Sequence, residues 1–254
     1  MKFNKTKGTI RFYEELNFFI KGHALKEDIE FSYYGKRSVK DLIESYGIPH
    51  VEVDMILVNG ESVSFDHIVK AGDHISVYPM FERFNIEGLT KIRDHGLRDS
   101  KFVADVHLGK LVKKLRLLGF DILYDSTWDD VELADIAMNE SRILLTRDRR
   151  LLMRTIIDRG LIIRSTNIEK QVIEVLERLD LYNEINPFSR CLMCNGTLLD
   201  VHEEDETYQE LFIQLPAKVK IWCREIFICE KCHKIYWKGS HYEKMLKYID
   251  ELLI

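Results

Sequence analysis

Residues 101–148 read KFVADVHLGKLVKKLRLLGFDILYDSTWDDVELADIAMNESRILLTRD, and the alternation inside this stretch decides the fold. KFVAD is a short apolar run closed by Asp105, the profile of a buried parallel strand with an acid at its carboxyl end. In HLGKLVKKLRLLGF, Leu108, Leu111, Val112, Leu115 and Leu118 form one helical stripe, and Gly119 ends it. DILYD is a second strand, DDVELADIAMNE a second helix, and RILLTRD a third strand ending in Asp148. Outward from here, LIIRS makes a fourth strand and IEKQVIEVLERLDL a long helix. Strands that alternate with helices in this way predict a parallel sheet covered on both faces.

Asp105 and Asp148 both fall at the carboxyl ends of predicted strands, where open α/β sheets bind ligands. Asp130 opens the intervening helix and can reach the same edge. Carboxylates gathered there repel unless cations neutralise them, and hard oxygen ligands of this kind suit Mg²⁺ or Mn²⁺. Each acid also has a local reading. Asp129 with Glu132 fits a capping box, Asp130 is a first-turn acid that the helix dipole favours, and Asp148 can cap a short RRLLM helix. Asp105 is harder to explain locally, because an acid ending a buried strand needs a partner or a metal.

Residues 1–81 read as strand, strand, helix, strand, strand. The first two strands are expected at Thr9–Leu16 and Ile29–Tyr34, and Ser38 caps a helix that ends at Gly47. Asn59-Gly60 supplies a tight hairpin, and AGDHISVYP is the last strand. This order, with VNGESVSFDHIVKAGDHISVYP, resembles the β-grasp fold of ubiquitin-like sulfur carriers. The activated Gly-Gly tail of those carriers has no counterpart before Met80-Phe81-Glu82-Arg83, so a binding or docking module is expected instead. The weakly periodic stretch 82–100 reads as a linker.

Downstream, Cys191-Leu-Met-Cys194 and Cys229-Glu-Lys-Cys232 are two C-x-x-C knuckles with 34 residues between them. Two such pairs can set four thiolates tetrahedrally around a structural zinc, a closed site without an open position for catalytic water. Gly196 is expected to relieve the turn after the first knuckle, and Cys223 reads as a small buried apolar residue. His241, in YWKGSHYEKM, fits either packing or an approach to substrate.

Taken together, FVAD, LGKLVKKLRLLGFD, DD-x-ELADIA, RILLTRDRRLL and the cysteine pairs look like the Mut-seven C-terminal RNase family over about residues 101–245. The resemblance implies a PIN-type nuclease fold followed by a zinc ribbon, in some members preceded by a ubiquitin-like domain. It also implies a divalent-metal site, carried over by motif onto Asp105, Asp130 and Asp148. Related families often have a fourth acid two positions after the last of these, where this chain has Arg150. Under the same resemblance, Lys110, Lys113, Lys114, Arg116, Arg147, Arg149 and Arg150 flank the acids and are placed to neutralise RNA phosphates.

The composition agrees with this reading. With 254 residues, several domains are expected, and 46% hydrophobic residues suffice for real cores. A net charge of -5 excludes a globally basic nucleic-acid binder, although 101–165 is locally positive. No apolar run approaches the roughly 18 residues of a membrane span, and MKFNKTKGTI is not a signal sequence. Five cysteines without a secretory signal indicate a reducing, cytoplasmic setting. The expected domains are a β-grasp domain (1–81), the linker, a PIN-like nuclease (101–187) and a zinc ribbon with tail (188–254). The expected activity is metal-dependent hydrolysis of single-stranded or structured RNA, with a protein partner expected for the β-grasp domain. The competing expectation is a non-catalytic adaptor for RNA or protein, in which the acids are caps.

Overall fold

The computed structural model describes residues 5–20, 27–80, 89–92 and 100–253. Strand β1 (Lys5–Phe12) is followed by a 3-10 segment, Glu14–Phe19, then β2 (Ile29–Tyr34), α1 (Val39–Ser45), β3 (Val53–Val58), β4 (Glu61–Ser62) and β5 (His74–Pro79). The sheet order is β2-β1-β5-β3-β4, with β1 and β5 parallel and the remaining pairs antiparallel. This is a β-grasp sheet. Ser38 caps α1 by accepting from the amide of Asp41, and Asn59 and Gly60 take the positive φ angles of the β3–β4 turn.

The expected first strand is corrected at both ends. It runs from Lys5 to Phe12, not from Thr9 to Leu16; beyond it, Leu16 and Phe19 are buried three residues apart, the period of a 3-10 turn. Most of the expected linker lies outside the described residues. Within it, the hydroxyl of Thr90 donates to the carbonyl of Asp54, and Ile92 packs on the first core.

The second sheet is formed by β6 (Lys101–Ala104), β7 (Asp121–Leu123), β8 (Ile143–Thr146) and β9 (Gly160–Ile162). Its order is β7-β6-β8-β9, all parallel. The connections are α2 (Gly109–Leu117), α3 (Asp130–Asn139) and the short α4 (Arg149–Leu152), and α5 (Ile168–Arg178) follows β9. Alternation within the strands separates two cores. Phe102, Ala104, Ile143 and Leu145 face α2 and α5, whereas Val103 and Leu144 face α3 and α4.

That second face is covered by the β-grasp domain. Ile10, Ile43, Val51 and Ile75 share one buried cluster with Leu133, Leu144, Leu152 and Ile162. Polar contacts close the seam. Glu52, 1% exposed, accepts the amide of Ile162 in β9 at 2.7 Å and pairs with Arg178 of α5. His50 Nε2 donates to the carbonyl of Ile157 at 3.0 Å. A binding module was expected over 1–81; this one is built into the wall of the second sheet.

The remaining elements are β10 (Leu198–Val201), α6 (Tyr208–Gln214), α7 (Ala217–Lys220), β11 (Ile226–Cys229), β12 (Ile235–Trp237) and α8 (Ser240–Leu252). Strands β10, β11 and β12 form an antiparallel ribbon with its own small core of Val201, Tyr208, Leu211, Leu215, Cys223 and Ile226. The last helix leaves that ribbon and inserts Ile249 into the α2–α5 core.

Candidate active edge and metal centre

From β6 the chain crosses to β7 on one side, then returns to β8 on the other. The loops therefore diverge at the carboxyl ends of β6 and β8, the switch point at which such sheets form their crevice. Asp105 directly follows β6 and is buried; its Oδ2 accepts the hydroxyl of Thr146 at 2.7 Å. Thr146 Oγ1 in turn accepts the amide of Asp148 at 2.9 Å, so one hydroxyl ties the two acids to a common edge. Among the described residues, no cationic side chain pairs with the Asp105 carboxylate.

Asp148 is exposed and caps α4, its Oδ1 accepting the amide of Arg150 at 2.7 Å. Asp130 starts α3 and pairs with Arg154, Oδ2 to Nη2 at 3.7 Å. Asp129 forms the full capping box, and the amides of Glu132 and Val131 hold its carboxyl below the usual range. The structure thus links Asp105 with Asp148 and leaves Asp130 on a separate arginine. Among the described residues, the three carboxylates do not converge into a joint ligand set; the four cysteines do, with their sulfur atoms within 4.8 Å of one another.

Thr146 was not singled out from the sequence, although a hydroxyl ending the buried run ILLT was the available signal: at 0% exposure it needs a partner. Arg154 was also missed, and nothing in its local pattern points to Asp130.

The basic residues divide into different roles. Arg147 and Arg150 are exposed beside Asp148. Arg149 turns to the β-grasp domain, its guanidinium 4.8 Å from the Phe19 ring centre and 5.4 Å from that of Phe18. Lys110 and Lys113 are exposed on α2, and Lys114 pairs with Glu169 at 3.2 Å. Arg116 requires correction as a phosphate contact. It is buried, with Nε and Nη2 donating to the carbonyl of Ile122 and Nη1 to those of Leu192 and Met193. Burial presses its pKa down from the usual value, and negative charge on the Cys194 and Cys191 sulfurs and on Asp121 opposes that shift.

Those carbonyls belong to the first knuckle. The Cys191–Cys232 and Cys194–Cys229 sulfur pairs are 3.7 and 3.4 Å apart. A tetrahedron with Zn–S bonds of about 2.3 Å has edges of about 3.8 Å, whereas disulfide sulfurs sit about 2.05 Å apart. The donor set therefore fits a metal such as zinc. Burial raises the Cys191 thiol, but the Tyr236 hydroxyl and the Cys194 and Met193 amides outweigh it and bring the pKa to about 6. Burial drives Cys194 up to about 12.

The expected turn role of Gly196 falls instead to Asn195, at φ 69°, matched in the second knuckle by His233 at 56°. Gly196 is required by space, since a Cβ there would lie 2.7 Å from the Cys229 sulfur. Asn195 also bridges to the second sheet, accepting the amide of Ile122 at 3.0 Å and donating to Asp121 at 2.7 Å.

The geometry agrees with comparison to known families. A model of the Mut7-C RNAse domain matches residues 100–249, and one of the Mut7-C ubiquitin domain matches residues 6–85. No curated protein and no solved structure matches the chain. With the RNAse model covering more than half its length, the chain belongs to the Mut7-C RNAse family, with a ubiquitin-like domain ahead of the RNAse domain.

Proposed function

We propose that the chain is a PIN-type ribonuclease that hydrolyses RNA phosphodiester bonds with Mg²⁺ or Mn²⁺ held by Asp105 and Asp148, and by Asp130 once it is released from Arg154. The observation that carries this reading is the buried Asp105 carboxylate at the switch point, which faces a neutral hydroxyl and no cation among the described residues. Such a carboxylate is poorly compensated by Thr146 alone and suits a hard cation. When bound, the cation supplies Lewis-acid polarisation of the phosphate and an activated water. Thr146 orients the Asp105 carboxylate by donating to Oδ2 and fixes the backbone that presents Asp148. Arg147 and Arg150, with Arg149 and the α2 lysines Lys110, Lys113 and Lys114, take RNA phosphates.

In this reading the division at 1–81, 82–100, 101–187 and 188–254 holds, and the cysteine quartet carries a structural zinc. The β-grasp domain stiffens the nuclease while its outer face remains available to a protein partner. No helix among the described residues is long and apolar enough to cross a membrane. Cysteine pairs spaced for a metal and not for disulfides favour a reducing, cytoplasmic setting.

The adaptor reading competes because Asp148 caps a helix and Asp130 is ion-paired. Asparagine caps about as well as aspartate but is a much poorer partner for a hard cation. Asp105→Asn and Asp148→Asn are therefore expected to keep the parent melting temperature and to lose about a hundredfold or more of Mn²⁺-dependent cleavage of labelled RNA. Two variants that cut as fast as the parent would hand the case to the adaptor.

A further inference from the structure

Lys110, Lys113 and Lys114 recur at i, i+3 and i+4, and therefore share one face of α2. His241, Lys244 and Tyr248 recur at i, i+3 and i+7 on α8. The structure brings these two stripes together as the walls of an open cleft of about 480 Å³. Leu117, Leu192 and Met245 give the cleft an apolar lining between its charged walls. Among the described residues its one acid is Glu169, paired with Lys114, whose ammonium also lies 3.2 Å from the Tyr248 ring centre. Lys110, Lys113, His241 and Lys244 remain exposed.

This arrangement is unfavourable for the protein by itself. Helix α2 has no acid in its first turn and places Lys110 there, whereas α3 and α5 begin with acids. A cation at a helix N-terminus opposes the dipole, and neighbouring lysines repel it further. An anionic ligand relieves both effects. Lysines are point charges without a fixed fork, suited to following a backbone rather than reading bases. The apolar lining matches flat base faces, which a duplex hides and a single strand presents.

We propose that the α2–α8 cleft holds single-stranded RNA, with phosphates on Lys110, Lys113, His241 and Lys244 and bases against the apolar lining. This rests on the ribonuclease reading and extends it: α2 begins four residues after Asp105, so a strand leaving the active edge continues along this helix. The C-terminal helix thereby becomes part of the RNA-holding surface.

The test is a fluorescence-anisotropy titration of a labelled 20-nucleotide oligouridylate. It uses the full-length Asp148→Asn chain without added divalent cations, so that cleavage does not intrude. Each single-strand phosphate contact contributes about 0.7 to the slope of log affinity against log salt. Lys113→Gln with Lys244→Gln should lower that slope by about 1.4 and raise Kd about tenfold near physiological salt. Lys218→Gln with Lys247→Gln, an equal charge change at exposed sites outside the cleft, should leave the slope unchanged. Equal losses in both pairs, an unchanged slope in the cleft pair, or equally tight binding of a duplex would each overturn the cleft while leaving the ribonuclease reading intact. A parent chain that binds no RNA at any salt would overturn that underlying reading.

Discussion

Replacing Glu52 by Gln tests whether the two N-terminal sheets form one cooperative structure. The side chain is 1% exposed, and its partner Arg178 is 8% exposed. Glutamine keeps the volume and can still accept the amide of Ile162, so the substitution mainly removes the charge opposite Arg178. Breaking a buried pair from one side typically costs about 3–5 kcal/mol, because the other charge is left uncompensated. Here Arg178 retains Glu174 at 3.9 Å and the carbonyl of Ile162 at 3.3 Å, which points to the lower end, about 3 kcal/mol. For a chain of this size that corresponds to a melting-temperature drop of roughly 6–12 °C. The assay is urea unfolding by circular dichroism, with hydrogen exchange read separately in β1 and in β9. Protection should fall in both strands together, since Ile10 and Ile162 belong to one cluster. A loss below about 1 kcal/mol, or a β-grasp sheet that melts alone while β6–β9 stay protected, would refute the shared core.

Three further outcomes follow from particular contacts. Burial raises the Asp121 carboxyl, but Arg142 and Asn195 outweigh it and hold the pKa below the usual range. The stabilisation is therefore complete above the unfolded value of about 3.9 and is lost as pH falls through the lower folded value. Asp121→Asn should cost about 2 kcal/mol at neutral pH and converge with the parent in acid, as followed by urea melts across pH. Elemental analysis of folded, reduced protein should find about one zinc per chain, and strong chelation should loosen the ribbon first, seen as faster exchange in β11. Arg147→Ala should flatten the salt dependence of RNA binding without moving the melting temperature, whereas Arg149→Ala should also lower stability by about 1 kcal/mol through its lost aromatic contacts at the seam.

The parallel sheet was readable because each of its strands is a short apolar run bounded by helical periodicity. The ends of α1 and α3 were equally plain, since Ser38, Gly47 and the Asp129–Glu132 box are local signals. The first strand was overextended because FYEEL carries strand-forming residues while its neighbours bury Leu16 and Phe19 at a spacing of three. The seam was invisible. Glu52 looks like an ordinary surface acid in PHVEVD, and only tertiary contact with β9 and α5 gives it a role. Arg116 misled for the same reason: helical spacing placed it off the leucine stripe, yet a knuckle 76 positions away supplies the carbonyl of Leu192 that takes its Nη1.

Arg116 also ties the parallel sheet to its ribbon as a matter of ancestry. A guanidinium inside this core is tolerable because the Leu192 and Met193 carbonyls meet it, and those carbonyls exist in that place only when the first knuckle is folded. Asp121, Arg142 and Asn195 extend the same dependence from the amino ends of β7 and β8 into the knuckle. A lineage that discarded the cysteine pairs would strand a buried cation and an amide, so positions 116, 121, 142 and 195 should be exchanged together with the knuckles. In relatives without the four cysteines, the residue at 116 is expected to be aliphatic.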